Sequence, residues 1–339
     1  MKRKIGIVTV SLALVFVAGG IALATTSLIQ RGVTIGDYRL SKTETIDRTF
    51  AVTGTPTLNI ESGDGNITIV RGDEGTVAIH AIKKASTDAI LRNLSVEMTQ
   101  DGNTITVRAT KTGKAPLALF GNNSGVVEYE VRLPAHATIG QAKASDGSIA
   151  VTGISGRLNL TTSDGAIHVS QLDGDLQAHT GDGSITLTGG HGTMQLTTSD
   201  GRITMREIQS EGLDVHTSDG GITFTGSFAT GSTNRFDSGD GGVAIAVPPD
   251  SGLHVDLQTR DGSVRVGFPV TTQDSTTRKR NSVQGVIGNP NATLTVRTSD
   301  GSITLNSQPF TPPTAPAGTT ATPVAANTRT IVDEEGVGQ

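Results

Sequence analysis

The feature that most limits what this chain can become is a motif written nine times: Asp-Gly, one variable residue, Ile or Val, and a second large apolar residue two places on. It runs from Asp64-Gly65-Asn66-Ile67-Thr68-Ile69 to Asp300-Gly301-Ser302-Ile303-Thr304-Leu305, and Asp146, Asp164, Asp182 and Asp200 lie eighteen residues apart. A fixed interval near 20 residues marks stacked supersecondary units, none of which buries its apolar face until a neighbour covers it. The period therefore predicts a solenoid with about 18 to 21 residues per coil.

From Ala142 to Val266 the pattern can be read column by column. Six and four residues before Asp lie apolar positions, as in Leu158 and Leu160, Met194 and Leu196, or Leu213 and Val215. Two before it stands Thr or Ser: Thr162, Thr180, Thr198, Thr217, Ser238, Thr259 and Thr298. After the Gly come Ile167 and Val169, Ile185 and Leu187, Ile203 and Met205, and their equivalents. Alternation at period two identifies strands, and its phase shifts across Asp-Gly, so each Asp-Gly is a corner.

Two architectures accommodate such a corner. Asp-Gly favours a type I′ hairpin, which would set Leu160 opposite Val169. A long meander of hairpins would expose a one-sided apolar sheet, whereas a coil winding back on itself buries both strands. The expected fold class is therefore all-β, a single-domain β-solenoid of the β-helix or β-roll kind, preceded by an N-terminal transmembrane helix.

That helix is expected over residues 1–24. Lys2, Arg3 and Lys4 precede an uncharged apolar run from Ile5 to Ala24, long enough to cross a bilayer, and the positive-inside rule leaves the repeats outside the cytoplasm. If Ala22-Leu23-Ala24 is a cleavage site, the segment is a signal peptide and the chain is secreted. Residues 25–45 read as a tether and 46–140 as an irregular N-terminal cap, with one helix expected between Ser86 and Leu94. Residues 141–307 form the regular repeats, interrupted by an inserted loop at 268–290 that carries Arg278-Lys279-Arg280. Residues 308–339, rich in Pro, Thr and Ala, read as a disordered tail.

Three stretches carry a family resemblance: Leu58-Asn-Ile-Glu-Ser-Gly-Asp-Gly-Asn-Ile-Thr-Ile69, the segment from Val247 to Val264, and Leu294-Thr-Val-Arg-Thr-Ser-Asp-Gly-Ser-Ile303. Together they resemble the bacterial putative-adhesin domain of unknown function, over residues of about 50 to 306. The resemblance implies a β-solenoid envelope protein, adhesin-like, often behind a single membrane helix. It implies no catalytic residues, and its motifs are repeat elements that specify fold rather than activity.

Candidate chemistry begins with the Asp column: Asp146, Asp164, Asp182, Asp200, Asp219, Asp240 and Asp261. Stacked coils would set these carboxylates about 4.8 Å apart, with mutual repulsion of roughly 1 kcal/mol in water. Either each carboxylate caps its own corner as an Asx turn while Gly takes positive φ, or Ca²⁺ bridges the column as in calcium-binding β-rolls. Such rolls carry Gly-Gly-x-Gly-x-Asp in each half-coil, and here most coils hold one Asp-Gly. His179 and His216 share an outward column with Thr197 between them, nearly 10 Å apart by coil spacing and too far to share a metal ion.

The remaining readings concern partners. Net charge is −5 with no basic stripe, which argues against nucleic acid. No cysteine is present, and no pairing of carboxylates with Lys or Arg recurs on one face as a polysaccharide lyase or hydrolase would need, so no enzyme and no cofactor are expected. The leading expectation is a non-enzymatic adhesin-like or scaffolding protein of the bacterial envelope, with membrane contact through its N-terminal helix and an envelope polysaccharide or protein as partner. The alternatives are a calcium-binding β-roll and a polysaccharide-binding or membrane-signalling accessory protein.

Overall fold

The computed structural model describes residues 40–111, 125–271 and 278–310. The proposed membrane or signal segment, most of the tether and the proposed disordered tail lie outside these residues. Among the described residues, no helix is long and apolar enough to cross a membrane.

The chain is all-β, its strands joined in one 23-stranded sheet that winds into a solenoid-like body. In chain order the first strands are β1 (Lys42–Ala51), β2 (Thr57–Glu61), β3 (Ile67–Arg71) and β4 (Thr76–Ala85). A short helix α1 (Asp88–Asn93) leads to β5 (Leu94–Asp101), β6 (Thr104–Lys111) and β7 (Gly125–Leu133). Next come β8 (Thr138–Lys143), β9 (Ile149–Thr152), β10 (Leu158–Thr161), β11 (Ile167–Asp173), β12 (Leu176–Thr180), β13 (Ile185–Thr198) and β14 (Ile203–Thr217). The body continues through β15 (Ile222–Phe228), β16 (Thr233–Ser238), β17 (Val243–Val247), β18 (Leu253–Thr259) and β19 (Val264–Val266). It ends with β20 (Arg278–Lys279), β21 (Ser282–Ile287), β22 (Ala292–Thr298) and β23 (Ile303–Ser307). β1 thus begins inside the stretch read as a tether, and β20 and β21 occupy the stretch read as an inserted loop.

Successive coils pair in parallel, one residue above its equivalent. Ile167 lies against Ile185, Ile185 against Ile203, and Ile203 against Ile222, while Leu158 lies against Leu176 and Leu176 against Met194. No hairpin forms at Asp-Gly, because β10 and β11 pair with strands of neighbouring coils rather than with each other. The alternating apolar residues point inward, and Leu158, Leu160, Ile167, Ile185 and Leu187 are all fully buried. Each coil therefore buries two strand faces against one slim core, filled mostly by Ile, Val and Leu, with Tyr129, Phe224 and Phe236 its largest fully buried side chains.

Stack order departs from chain order at both ends. β2 lies between β6 and β8, and β3 lies between β7 and β9, so the first coil sits inside a pair formed later in the sequence. At the other end β22 lies between β16 and β18, and β23 lies between β17 and β19. The last Asp-Gly coil is therefore not the terminal layer. Both terminal coils are intercalated, and antiparallel strands close the stack beyond them: β4 and β5 at one end, β21 at the other. Antiparallel closure removes the open parallel edge that a plain solenoid would present.

The helix expected between Ser86 and Leu94 is α1. Thr87 caps it, its hydroxyl accepting the Ile90 N–H at 3.2 Å.

Candidate functional surface

The Asp-Gly ridge is held by threonine and glycine, and this corrects the expected corner. The corner glycines are not among the residues with positive φ. They are required for another reason: a Cβ on Gly147, Gly165, Gly183, Gly201, Gly220, Gly241 or Gly301 would lie 1.8 to 2.1 Å from the carbonyl oxygen of the layer beneath. Backbones stack here more closely than any side chain permits.

The inward hydroxyl two residues before Asp completes the corner. Thr180 Oγ1 donates toward the carbonyls of Ser163 (3.2 Å) and Gly165 (3.0 Å) one coil away, and accepts the N–H of Gly183 at 3.2 Å. Thr198, Thr217, Thr259 and Thr298 repeat this pattern. In these coils the Gly N–H of the corner is taken by the threonine three residues before it. Asp146, Asp164, Asp182, Asp200, Asp219, Asp240 and Asp261 line the outer side of the ridge. Among the described residues no group of three or more His, Asp or Glu side chains could hold a metal ion. Each corner supplies one carboxylate, where Ca²⁺ takes six to eight oxygens, so a calcium ion here would need neighbouring corners, backbone carbonyls or water to supply the rest.

The strands entering the ridge present an outward face of in-register columns. Asn159, Gln177, Gln195 and Asp214 stack in one column, and Thr161, His179, Thr197 and His216 in the next. Thr197 separates the two histidines, as expected, and both point to solvent. The opposite strands carry Thr186, Thr204 and Thr223 in register, flanked by His168 and Ala244. These columns display amide, hydroxyl and imidazole groups at strand spacing, about 4.8 Å apart, on a backbone that cannot slip register without exposing its core.

A second bend carries features that column reading did not find. Gly153, Gln171, Gly189 and Glu207 occupy equivalent places, with φ of 73°, 53°, 66° and 58°. Two of the four are not glycine and sit in a conformation costing L-residues roughly 1–2 kcal/mol each. Beyond the bend His191 bridges two carboxylates, Nδ1 at 3.1 Å from Asp173 and Nε2 at 3.4 Å from Glu211. Glu211 is an extra residue: Gly192 pairs with Ser210 and Thr193 with Gly212, leaving Glu211 bulged between them. The signal was present in the sequence as the nineteen-residue interval between Asp200 and Asp219.

At the C-terminal end, a saturated carboxylate ties three strands together. Asp256 on β18 meets Arg297 of the intercalated β22 at 2.5 Å, and accepts from Gln258 and from Gln284 of the closing strand β21, both at 2.9 Å. Partial burial pushes its pKa up, but the hydrogen bonds from Arg297, Gln284 and Gln258 and the charge of Arg297 outweigh that and hold it below the usual aspartate value. This is a structural clasp rather than a reactive group.

Comparison with known proteins follows the architecture. The family described as Toastrack DUF4097 matches residues 56–306. No curated protein matches the chain. Among solved structures, a putative adhesin from Bacteroides fragilis is 12% identical, with 77% of this chain and 97% of that chain covered at a TM-score of 0.39. A putative adhesin from Parabacteroides merdae is 10% identical, with 77% and 96% covered at 0.39. A putative lipid binding protein from Parabacteroides distasonis is 11% identical, with 78% and 97% covered at 0.38.

Proposed function

Because the chain belongs to the Toastrack DUF4097 family, we propose that it works as a non-enzymatic, adhesin-like or scaffolding protein of the bacterial cell envelope. The observation that supports this reading is the outward face built from Asn159, Gln177, Gln195, Asp214, Thr161, His179, Thr197 and His216. A ladder of hydrogen-bonding groups, amides and hydroxyls for the most part, suits multivalent contact with a hydroxyl-rich or peptide surface, where many weak contacts in fixed register add to avidity. Catalysis needs a nucleophile or base aimed at a shared point in a concave site, and a repeating face provides no such convergence. The apolar run from Ile5 to Ala24 would hold the body outside the cytoplasm, attached to the membrane or released from it.

The test has two arms. Protease added to intact cells should digest the repeats, and recovery of the whole chain in the cytosol would reject the envelope reading. Purified full chain should bind isolated cell envelopes, and Gln177→Glu with Gln195→Glu should weaken that binding without lowering the melting temperature. Unchanged binding by the double variant would exclude this face as the contact surface.

A further inference from the structure

β1 is a ten-residue strand at the edge of the described sheet. Among the described residues it pairs only with β4, in antiparallel register. The N–H of Val52 donates to Gly75 O on the β4 side at 2.9 Å. By strand alternation the even-numbered residues of β1 therefore aim their backbone groups at β4, and those of Thr43, Thr45, Asp47 and Thr49 aim outward. Long edges of this kind invite another strand, and the sequence here shows which one.

We propose that β1 pairs with β1 of a second copy of this chain, antiparallel and centred on Ile46, so that two bodies join end to end through one continuous sheet. In that register Glu44 faces Arg48 of the other copy, and Arg48 faces its Glu44. Thr45 meets Asp47, Thr43 meets Thr49, and Ile46 meets its own equivalent. Opposite charges and Thr–Thr pairs are the favourable cross-strand combinations.

Neighbouring two-fold registers fail on the same criterion. Shifting the centre to Thr45 sets Lys42 against Arg48 twice, and shifting it to Asp47 sets Asp47 against itself. Further shifts set Glu44 against Glu44, or Arg48 against Arg48. Of these five registers, only the one centred on Ile46 sets opposite charges against each other with no like-charge pair, and an isologous contact needs this self-complementarity. Ile46 adds an apolar centre, since it is half-buried against the core with one side still open. Two existing contacts position the charges on this face: an ion pair in which Lys83 holds Glu44 at 2.8 Å, and a cation–π contact in which Arg48 stands over the Phe50 ring at 5.5 Å. This inference does not depend on what the outward polar face binds.

The test exploits a chain with no cysteine of its own. Directly opposed Cα atoms in a non-hydrogen-bonded antiparallel pair lie about 4.5 Å apart, within disulfide reach. Full-length Ile46→Cys should therefore oxidise to a covalent dimer at least ~10-fold faster than Asp250→Cys, an exposed turn control, because pre-association raises the effective thiol concentration. Adding Arg48→Glu should abolish that advantage. Because Ile46 touches the core, a second measurement uses exposed positions: a mixture of Thr45→Cys and Asp47→Cys chains should cross-link faster than either alone. Rates equal to the control, indifference to Arg48→Glu, or a mixture no faster than its components would each overturn the proposal.

Discussion

A methyl group on Gly183 would lie 1.9 Å from the carbonyl oxygen of Gly165 in the neighbouring coil. That distance is impossible for real atoms, and the obstacle is backbone on both sides, so neither layer can yield without breaking its ladder. Gly183→Ala should cost about 3 kcal/mol or more, at the upper end of overpacking penalties. Gly63→Ala, where an added Cβ meets nothing within 4 Å, should be close to neutral. Chemical denaturation of the two variants checks the contrast.

The threonine beside each corner makes a separate prediction. Thr180 is fully buried, and its hydroxyl serves two carbonyls and one N–H. Thr180→Val keeps the shape and leaves those groups unsatisfied, at an expected cost of about 1–3 kcal/mol. Thr180→Ser retains the hydroxyl and should recover most of that loss. If Val proves as stable as Thr, the hydroxyl is not what holds the corner.

Much of this was legible in the repeat, and the parts that were not have physical reasons. The apolar columns around Ile167 and Leu187 follow from alternation alone, because a strand has only two faces. The corner was located correctly and explained wrongly: Asp-Gly looks the same in sequence whether Gly supplies positive φ or merely the absence of a Cβ. Layer order was invisible for a deeper reason. Coils with matching columns are interchangeable as neighbours, so nothing in Leu294-Thr-Val says whether that strand ends the stack or enters it. The candidate surface was partly legible, since Gln177, His179 and Thr197 are outward by phase, while the contact of His191 with Glu211 needed the bulge to be placed.

The left-handed bend offers a way to gain stability. Gln171 and Glu207 hold φ of 53° and 58° where the coils beside them use Gly153 and Gly189. Replacing either with Gly removes strain but adds freedom to the unfolded chain, so the net gain should be about 1 kcal/mol or less per site. A melting temperature that falls for both variants would mean that these side chains make stabilising contacts that offset the strain.

The clasp at Asp256 should respond to acid. A carboxylate held below its usual pKa in the folded chain contributes stability above the unfolded value, near 3.9, and loses it as pH falls through the folded value. Asp256→Asn should therefore lower stability near neutral pH by about 1–3 kcal/mol, as expected for losing a charged hydrogen-bond acceptor. As pH falls below the unfolded value and through the lower folded one, the difference from the parent chain should shrink. A constant difference across the acid range would assign the effect to packing rather than to the charge.

Intercalation makes the strongest prediction, because it separates this fold from a plain stack. In a solenoid whose last coil is the outermost layer, removing that coil costs one interface and frays one end. Here, ending the chain at Pro290 removes β22 and β23 from between β16 and β18 and between β17 and β19. It also deletes Arg297, which holds Asp256. β18 and β19 would lose their parallel partners while β21 kept its antiparallel pairing with β18 and β20. Hydrogen exchange on the shortened chain should therefore show lost protection from β16 through β21, with the coils from β8 to β14 kept. Protection retained at β16 and β18 would indicate that the gap recloses, with β18 docking directly on β16. The intercalated coil would then add a layer without locking the end.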